Sequence, residues 1–149
     1  SFAQGKLPQI RQHASCKGLG ADDAPGQPTK GKVMHVKRFA EAQTYDAPNH
    51  FGVVGLRLQG FEPTGPKNQW VGLSQFLPGG GAGPDSTPFE KVYVVLDGEM
   101  TVIIDGAETV LRKYDSCTIP PGETRKIENR TNLVCTMLVV IPYPAGVKP

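Results

Sequence analysis

Between Asp85 and Asn129 the chain carries side chains able to bind ions and move protons: Asp85, Thr87, Glu90, Lys91, Tyr93, Arg125 and Asn129. A lysine becomes a general base or a Schiff-base former once burial lowers its pKa. An arginine offers a two-pronged fork to a carboxylate or a developing oxyanion. A tyrosine can relay a proton between such groups. Carboxylates, a hydroxyl and an amide at Asp85, Glu90, Thr87 and Asn129 add hydrogen-bonding partners for a small ligand. His50 joins the set, because it lies in a Pro-Asn-His-Phe-Gly turn entering a strand and can reach a site as acid or base. His13 and His35 share no ligand spacing with it or with each other, and are read as surface or hydrogen-bonded histidines. Cys117 and Cys135 fall in apolar strands with no base at fixed spacing, which marks them as core. Trp70 is read as core or pocket wall.

These groups must be positioned by strands. Alternation over 32–39 (KVMHVKRF) predicts a first strand, and Asp46 to Asn49 is turn chemistry. The runs 51–59 and 69–77 predict two more strands, joined through a connection that holds Pro63, Gly65 and Pro66. Gly55 and Gly72 inside them suggest bulges or tight curvature. The second half is more regular. Runs at 91–96 and 100–104 are β-branched and aromatic, and Asp105-Gly106 then predicts a hairpin returning over 109–111. Short strands follow at 117–119, 126–128 and 133–141. No helix of normal length and no long-period repeat is visible. Short strands with turn signals every 8–12 residues or so predict an all-β sandwich or barrel. Period-2 geometry puts Phe89, Lys91, Tyr93 and Val95 on one face, and Arg125, Ile127 and Asn129 likewise.

Length and composition bound the rest. At 149 residues the chain is long enough for one domain with a core that needs no disulfide staples. The 18 Gly and 14 Pro favour turns over helices. A net charge of +2 argues against a nucleic-acid surface, which would need a clustered basic face. No apolar run is long enough to span a membrane as a helix. Three cysteines without C-x-x-C spacing read as thiols of a reducing compartment, so a cytoplasmic location is expected by default. The chain opens with Ser1 rather than Met, which leaves room for a removed residue or leader. Residues 1–31 are rich in Gly and Pro with little periodicity and read as an irregular arm; the barrel domain is expected over 32–149.

At Leu77 to Asn129 the sequence resembles the cupin superfamily, small jelly-roll β-barrels. The family's first motif is G-x5-H-x-H-x3,4-E-x6-G. Gly79, Asp85, Thr87, Lys91 and Gly98 fall on its positions without a gap. The second motif, G-x5-P-x-G-x2-H-x3-N, lays Tyr114 on its first glycine, then Pro120, Gly122, Arg125 and Asn129. The resemblance covers roughly 32–142 and implies a single cupin-type jelly-roll barrel. In typical members the two His, the Glu and the last His hold one metal. Here those positions are Asp85, Thr87, Lys91 and Arg125. A divalent ion wants imidazoles and carboxylates, and two cations at short range repel it. The expectation is therefore a barrel with no metal and no other cofactor.

The resemblance also implies that Lys91 and Arg125 converge on the space a metal would fill, forming a site for a small acidic organic molecule. Lys91, Arg125, Tyr93 and His50 are then the catalytic candidates. Asp85, Thr87, Glu90 and Asn129 are the ligand-binding ones. Proton abstraction beside a carbonyl suits that set, as in a lyase or isomerase of a small oxo acid. Two alternatives stand beside it: a non-catalytic binding module, and a structural barrel whose space is closed by an Asp85–Lys91 or Glu90–Arg125 salt bridge. A homodimer is expected from the resemblance, with the arm or exposed strand edges as contact.

Overall fold

A computed structural model describes residues 34–147. The expected arm at 1–31, with His13 and Cys16, lies outside the described residues, as do Lys32 and Val33. Nine antiparallel strands form among the described residues: β1 (Gln43–Tyr45), β2 (His50–Gln59), β3 (Gln69–Asp85), β4 (Lys91–Asp97), β5 (Met100–Ile104), β6 (Ala107–Leu111), β7 (Ser116–Ile119), β8 (Arg125–Glu128) and β9 (Cys135–Pro142). They hydrogen-bond in the order β6-β5-β8-β3-β9-β4-β7, with β2 on the other edge of β3 and β1 on β2. This is the expected all-β jelly-roll barrel. No helix among the described residues is long and apolar enough to cross a membrane.

The barrel is organised by β3, which is eight residues longer than the expected 69–77. Residues Gln69 to Phe76 pair with β9, whereas Gly81 to Asp85 pair with β8. One strand thus serves two layers by turning a corner at Leu77 to Gly80. Gly79 adopts φ 77° there, a conformation that costs glycine nothing. A side chain on Gly81 would stand 2.2 Å from the Ile127 carbonyl oxygen, so the backbones approach too closely for any other residue. Asn129 ties this corner down: its Nδ2 lies 3.0, 3.1 and 2.7 Å from the carbonyls of Phe76, Leu77 and Leu133.

Several expectations change. Residues 34–38 are not a strand, and Phe39–Glu41 is a single 3-10 turn. His35 and Lys37 instead anchor this segment to Glu62 of the β2–β3 connection, and Thr64 bonds the other His35 nitrogen. Polar tethering has overridden the alternation. The bulges of β2 lie between Phe51 and Val53 and between Arg57 and Gln59, while Gly55 and Gly72 pair in register. Their lack of a side chain has another cause: Tyr45 lies over both, its ring 3.1 Å from a built Gly55 Cβ and its hydroxyl 2.6 Å from that of Gly72. The Asp105-Gly106 hairpin forms as expected, both residues having positive φ. Inside, Phe76, Val95, Met100, Ile119, Ile127, Cys135 and Met137 form the centre of one apolar cluster, with Cys117 packed against it.

Candidate functional site

A cavity of about 380 Å³ opens into the barrel. It is lined by side chains from β2, β3, β4, β8 and β9 and from the segment Tyr45 to Pro48. Six of the eight expected site residues meet there: His50, Asp85, Thr87, Lys91, Tyr93 and Arg125. Alternation on β4 delivers Lys91 and Tyr93, which are buried with Val95 while Val92 and Val94 turn outward. Arg125 opens β8 opposite Asp85, its partner in the ladder to β3. Phe89 precedes β4 and does not line the cavity.

Two expected residues are elsewhere. Glu90 is exposed and borders a shallow outer groove with Asn68, Gln69 and Val92. It lies one residue out of phase with Lys91, which sends it to the opposite face. Asn129 is fully buried and spends its amide on the β3 corner, so it holds the fold rather than a ligand. Neither expected closing salt bridge forms. Arg125 instead faces Asp85 at 4.0 Å, at the outer limit of an ion pair, and the Asp85 side chain is 44% exposed.

The electrostatics follow from burial. Lys91 is 5% exposed and forms no ion pair among the described residues. Desolvation, reinforced by the charge of Arg125 and opposed by Asp85, pushes its pKa down to about 8. Arg125 is 2% exposed, donates from Nε to the Tyr93 hydroxyl at 2.8 Å and from Nη1 to the Gly83 carbonyl at 3.3 Å. Burial raises the Tyr93 pKa, with Arg125 opposing, so its phenol stays protonated at neutral pH. His50 donates from Nδ1 to the Pro48 carbonyl at 2.7 Å. Burial lowers its pKa, the Pro48 contact opposes this, and Arg125 and Lys91 add to the lowering. The buried floor of the cavity is thus cationic, whereas its carboxylates, Asp46 and Asp85, sit toward solvent.

The residues at the family's metal positions do not fit a divalent ion. Thr87 spends its hydroxyl on the Phe89 carbonyl at 2.9 Å, and Lys91 and Arg125 are cations. Among the described residues no group of three His, Cys, Asp or Glu could hold a metal.

Among the lining residues that escaped the sequence reading are Tyr45, Arg57, Phe61 and Ser74. With Trp70 they form an aromatic wall, Tyr45 meeting Trp70 edge-on at 5.3 Å and Phe61 meeting it at 5.8 Å. The signal that could have found them was the glycine pair: Gly55 and Gly72 mark the space that Tyr45 fills.

The Cupin domain family model matches residues 72–141. The chain is 48% identical over 113 residues to the β-D-galactosidase Rv1717 of Mycobacterium tuberculosis, covering 76% of this chain and 97% of that protein. Among solved structures it resembles the polyketide cyclase RemF of Streptomyces resistomycificus, with a TM-score of 0.66, 20% identity, and coverage of 74% of this chain and 80% of that one. It also resembles a predicted oxalate decarboxylase of Thermotoga maritima, with a TM-score of 0.62, 26% identity, and coverage of 74% of this chain and all (100%) of that one.

Proposed function

This chain belongs to the cupin superfamily, and we propose that it is an enzyme of that superfamily acting on one small carbohydrate ring, with Lys91 as the group that moves the proton. The observation that carries this reading is Lys91 itself: an ammonium buried in the cavity wall, its pKa pushed down to about 8, with no ion-pair partner among the described residues. A buried amine near neutrality is suited to proton transfer, and a purely structural lysine would be paired. The cavity suits one ring rather than a polymer, since about 380 Å³ lies at the small end of the range of roughly 300–1,000 Å³ for ligand pockets. Tyr45, Phe61 and Trp70 offer apolar faces, and Ser74, Lys91 and Arg125 offer polar groups, which together match a pyranose. The 48% identity to a galactosidase supports a sugar as the occupant.

The reaction that best suits the charges is proton abstraction beside a carbonyl, as in an isomerase or lyase of a sugar or sugar acid. Lys91 takes the proton as a neutral amine. Negative charge then grows on the carbonyl oxygen, where Arg125 and the Tyr93 phenol favour it. His50 at the cavity edge is placed to return a proton. The second reading is hydrolysis of a galactoside, favoured by the named activity of the relative. Asp46 and Asp85 would then be the two carboxylates that such hydrolysis employs. A cationic floor disfavours the positive transition state of that reaction, which ranks it second.

Nuclear magnetic resonance in deuterated water separates the readings. With D-galacturonate or D-galactose, deuterium should enter the carbon beside the carboxylate or the open-chain aldehyde, and Lys91→Met should abolish this. Release of aryl alcohol from an aryl β-D-galactoside, without exchange, would support hydrolysis instead. Absence of exchange, of hydrolysis and of any rise in melting temperature with these sugars would overturn the proposal.

A further inference from the structure

The acid group of a substrate was expected at Arg125, yet the arginine with uncommitted charge is Arg57. Two donors of Arg125 are taken by Tyr93 and Gly83, and Asp85 stands near a third nitrogen. Arg57 also lines the cavity, but forms no ion pair among the described residues. Its Nε is buried without any hydrogen-bond partner among the described residues. Its guanidinium carbon lies 4.4 Å from the centroid of the Phe61 ring and 5.8 Å from that of Tyr45. Stacking of this kind holds a guanidinium in place while leaving its edge donors available.

Register places Arg57 opposite the proton-transfer wall. Arg57 pairs with Gly72, Gly72 with Val139, and Val139 with Tyr93. Residues in one such row share a face, and here that face is the barrel interior. Three strand spacings of roughly 4.8 Å separate Arg57 from Tyr93 along the sheet. Lys91 lies two residues from Tyr93 on the same face. A ligand in the cavity therefore meets Lys91 and Arg125 on one wall and Arg57 in an aromatic box on the other.

We infer that Arg57 is the specificity-determining residue of this pocket: stacked on Phe61, it binds the carboxylate of an acidic sugar whose ring lies against Tyr45 and Trp70, and it selects that acid over the neutral sugar. A carboxylate fits better than a phosphate dianion. Arg57 is the one cation in that box, and the described residues contain no α-helix whose N-terminus could share a second charge. Phe61 is itself held for this purpose: it adopts φ 60°, and its N–H donates to the Tyr143 hydroxyl at 2.8 Å. Without that hold the stacking partner of Arg57 would be free to leave. The inference rests on the reading of the cavity as a sugar pocket.

Calorimetric titration of the full chain with D-galacturonate and with D-galactose tests it, since the two differ in a carboxylate against a hydroxymethyl group. The native chain should prefer the acid by tenfold or more, as expected for a charge-assisted hydrogen bond. Arg57→Met should erase the preference for the acid, and Arg57→Lys should keep part of it. Unfolded Arg57→Met leaves Arg57→Lys as the measure, with a preference reduced severalfold expected. An unchanged preference in either folded variant overturns the inference and leaves the sugar reading intact. A native chain that binds both sugars equally does the same. A native chain that binds neither overturns both.

Discussion

Arg125 on β8 donates from Nε to the hydroxyl of Tyr93 on β4, at 2.8 Å, with both side chains almost fully buried. The bond joins the two layers of the barrel at the floor of the cavity and fixes the guanidinium beside Lys91. Tyr93→Phe would strand a buried charged donor, at a cost of about 1–3 kcal/mol. The expected result is a lower denaturation midpoint with an unchanged m-value, read by urea titration. Turnover should also fall, because Arg125 is then free to move away from the growing charge.

The direction of the pH profile distinguishes the two chemistries. As a base, Lys91 works only when neutral, so kcat/KM should rise through about pH 8 and level off above it. In the hydrolysis reading Asp46 and Asp85 do the work, Lys91 need not be neutral, and the profile should show no rise through about pH 8. Steady-state rates from pH 6 to 10 or so decide between them.

Lys91 should also weaken the fold that carries it. Its pKa falls from 10.5 to about 8, which corresponds to about 3 kcal/mol against the charged form in the folded chain. Below about pH 8 lysine is charged in both folded and unfolded chains, and the cost is fully present. Between about 8 and 10.5 the unfolded chain binds more protons, so this residue makes stability rise with pH. Lys91→Met should therefore raise the melting temperature at pH 7 by several degrees while abolishing activity. A lowered melting temperature would mean that the lysine stabilises the barrel.

Asn129 has the opposite character. Asn129→Ala takes the amide donor from the Phe76 and Leu77 carbonyls at the β3 corner and from the Leu133 carbonyl, which keeps only the Thr131 hydroxyl. A loss of roughly 2–4 kcal/mol is expected, from more than one buried acceptor left unpaired. Ligand affinity per folded molecule should not change, which titration of the folded fraction would reveal.

Gly72→Ala should do the reverse of that. The new methyl would stand 2.6 Å from the Tyr45 hydroxyl and 2.9 Å from the Trp70 ring, so both side chains must shift. Sugar binding should weaken roughly tenfold, about 1.4 kcal/mol, with the β3–β9 ladder intact. Calorimetry and the melting temperature together separate this from general unfolding.

The barrel was legible in the residues because strand signals are local. Asp105-Gly106, the Pro120-Pro121-Gly122 stop and the alternating run from Lys91 each act over a few residues, and each appears where expected. Local phase was also enough to bury Lys91 and Tyr93 together and to set Arg125 and Ile127 on one face. The alternation at 34–38 misled, since an alternating run with no strand beside it gains nothing from being extended, and Glu62 claimed its cations.

What the chain determined by itself was a strand pattern and an inward pair of cations at positions that, by resemblance, hold a metal in typical cupins. Tertiary structure decided how those charges are used. Arg125 was committed to Tyr93 and Gly83, Asn129 to the β3 corner, and Lys91 was left without an ion-pair partner among the described residues. Arg57 and Tyr45 entered the cavity only because β2 and β1 lie across β3 from the motif strands, dozens of residues away in sequence. Alternation tells which side of a strand a residue faces, but which strand stands opposite depends on non-local pairing, and no short-range signal encodes it.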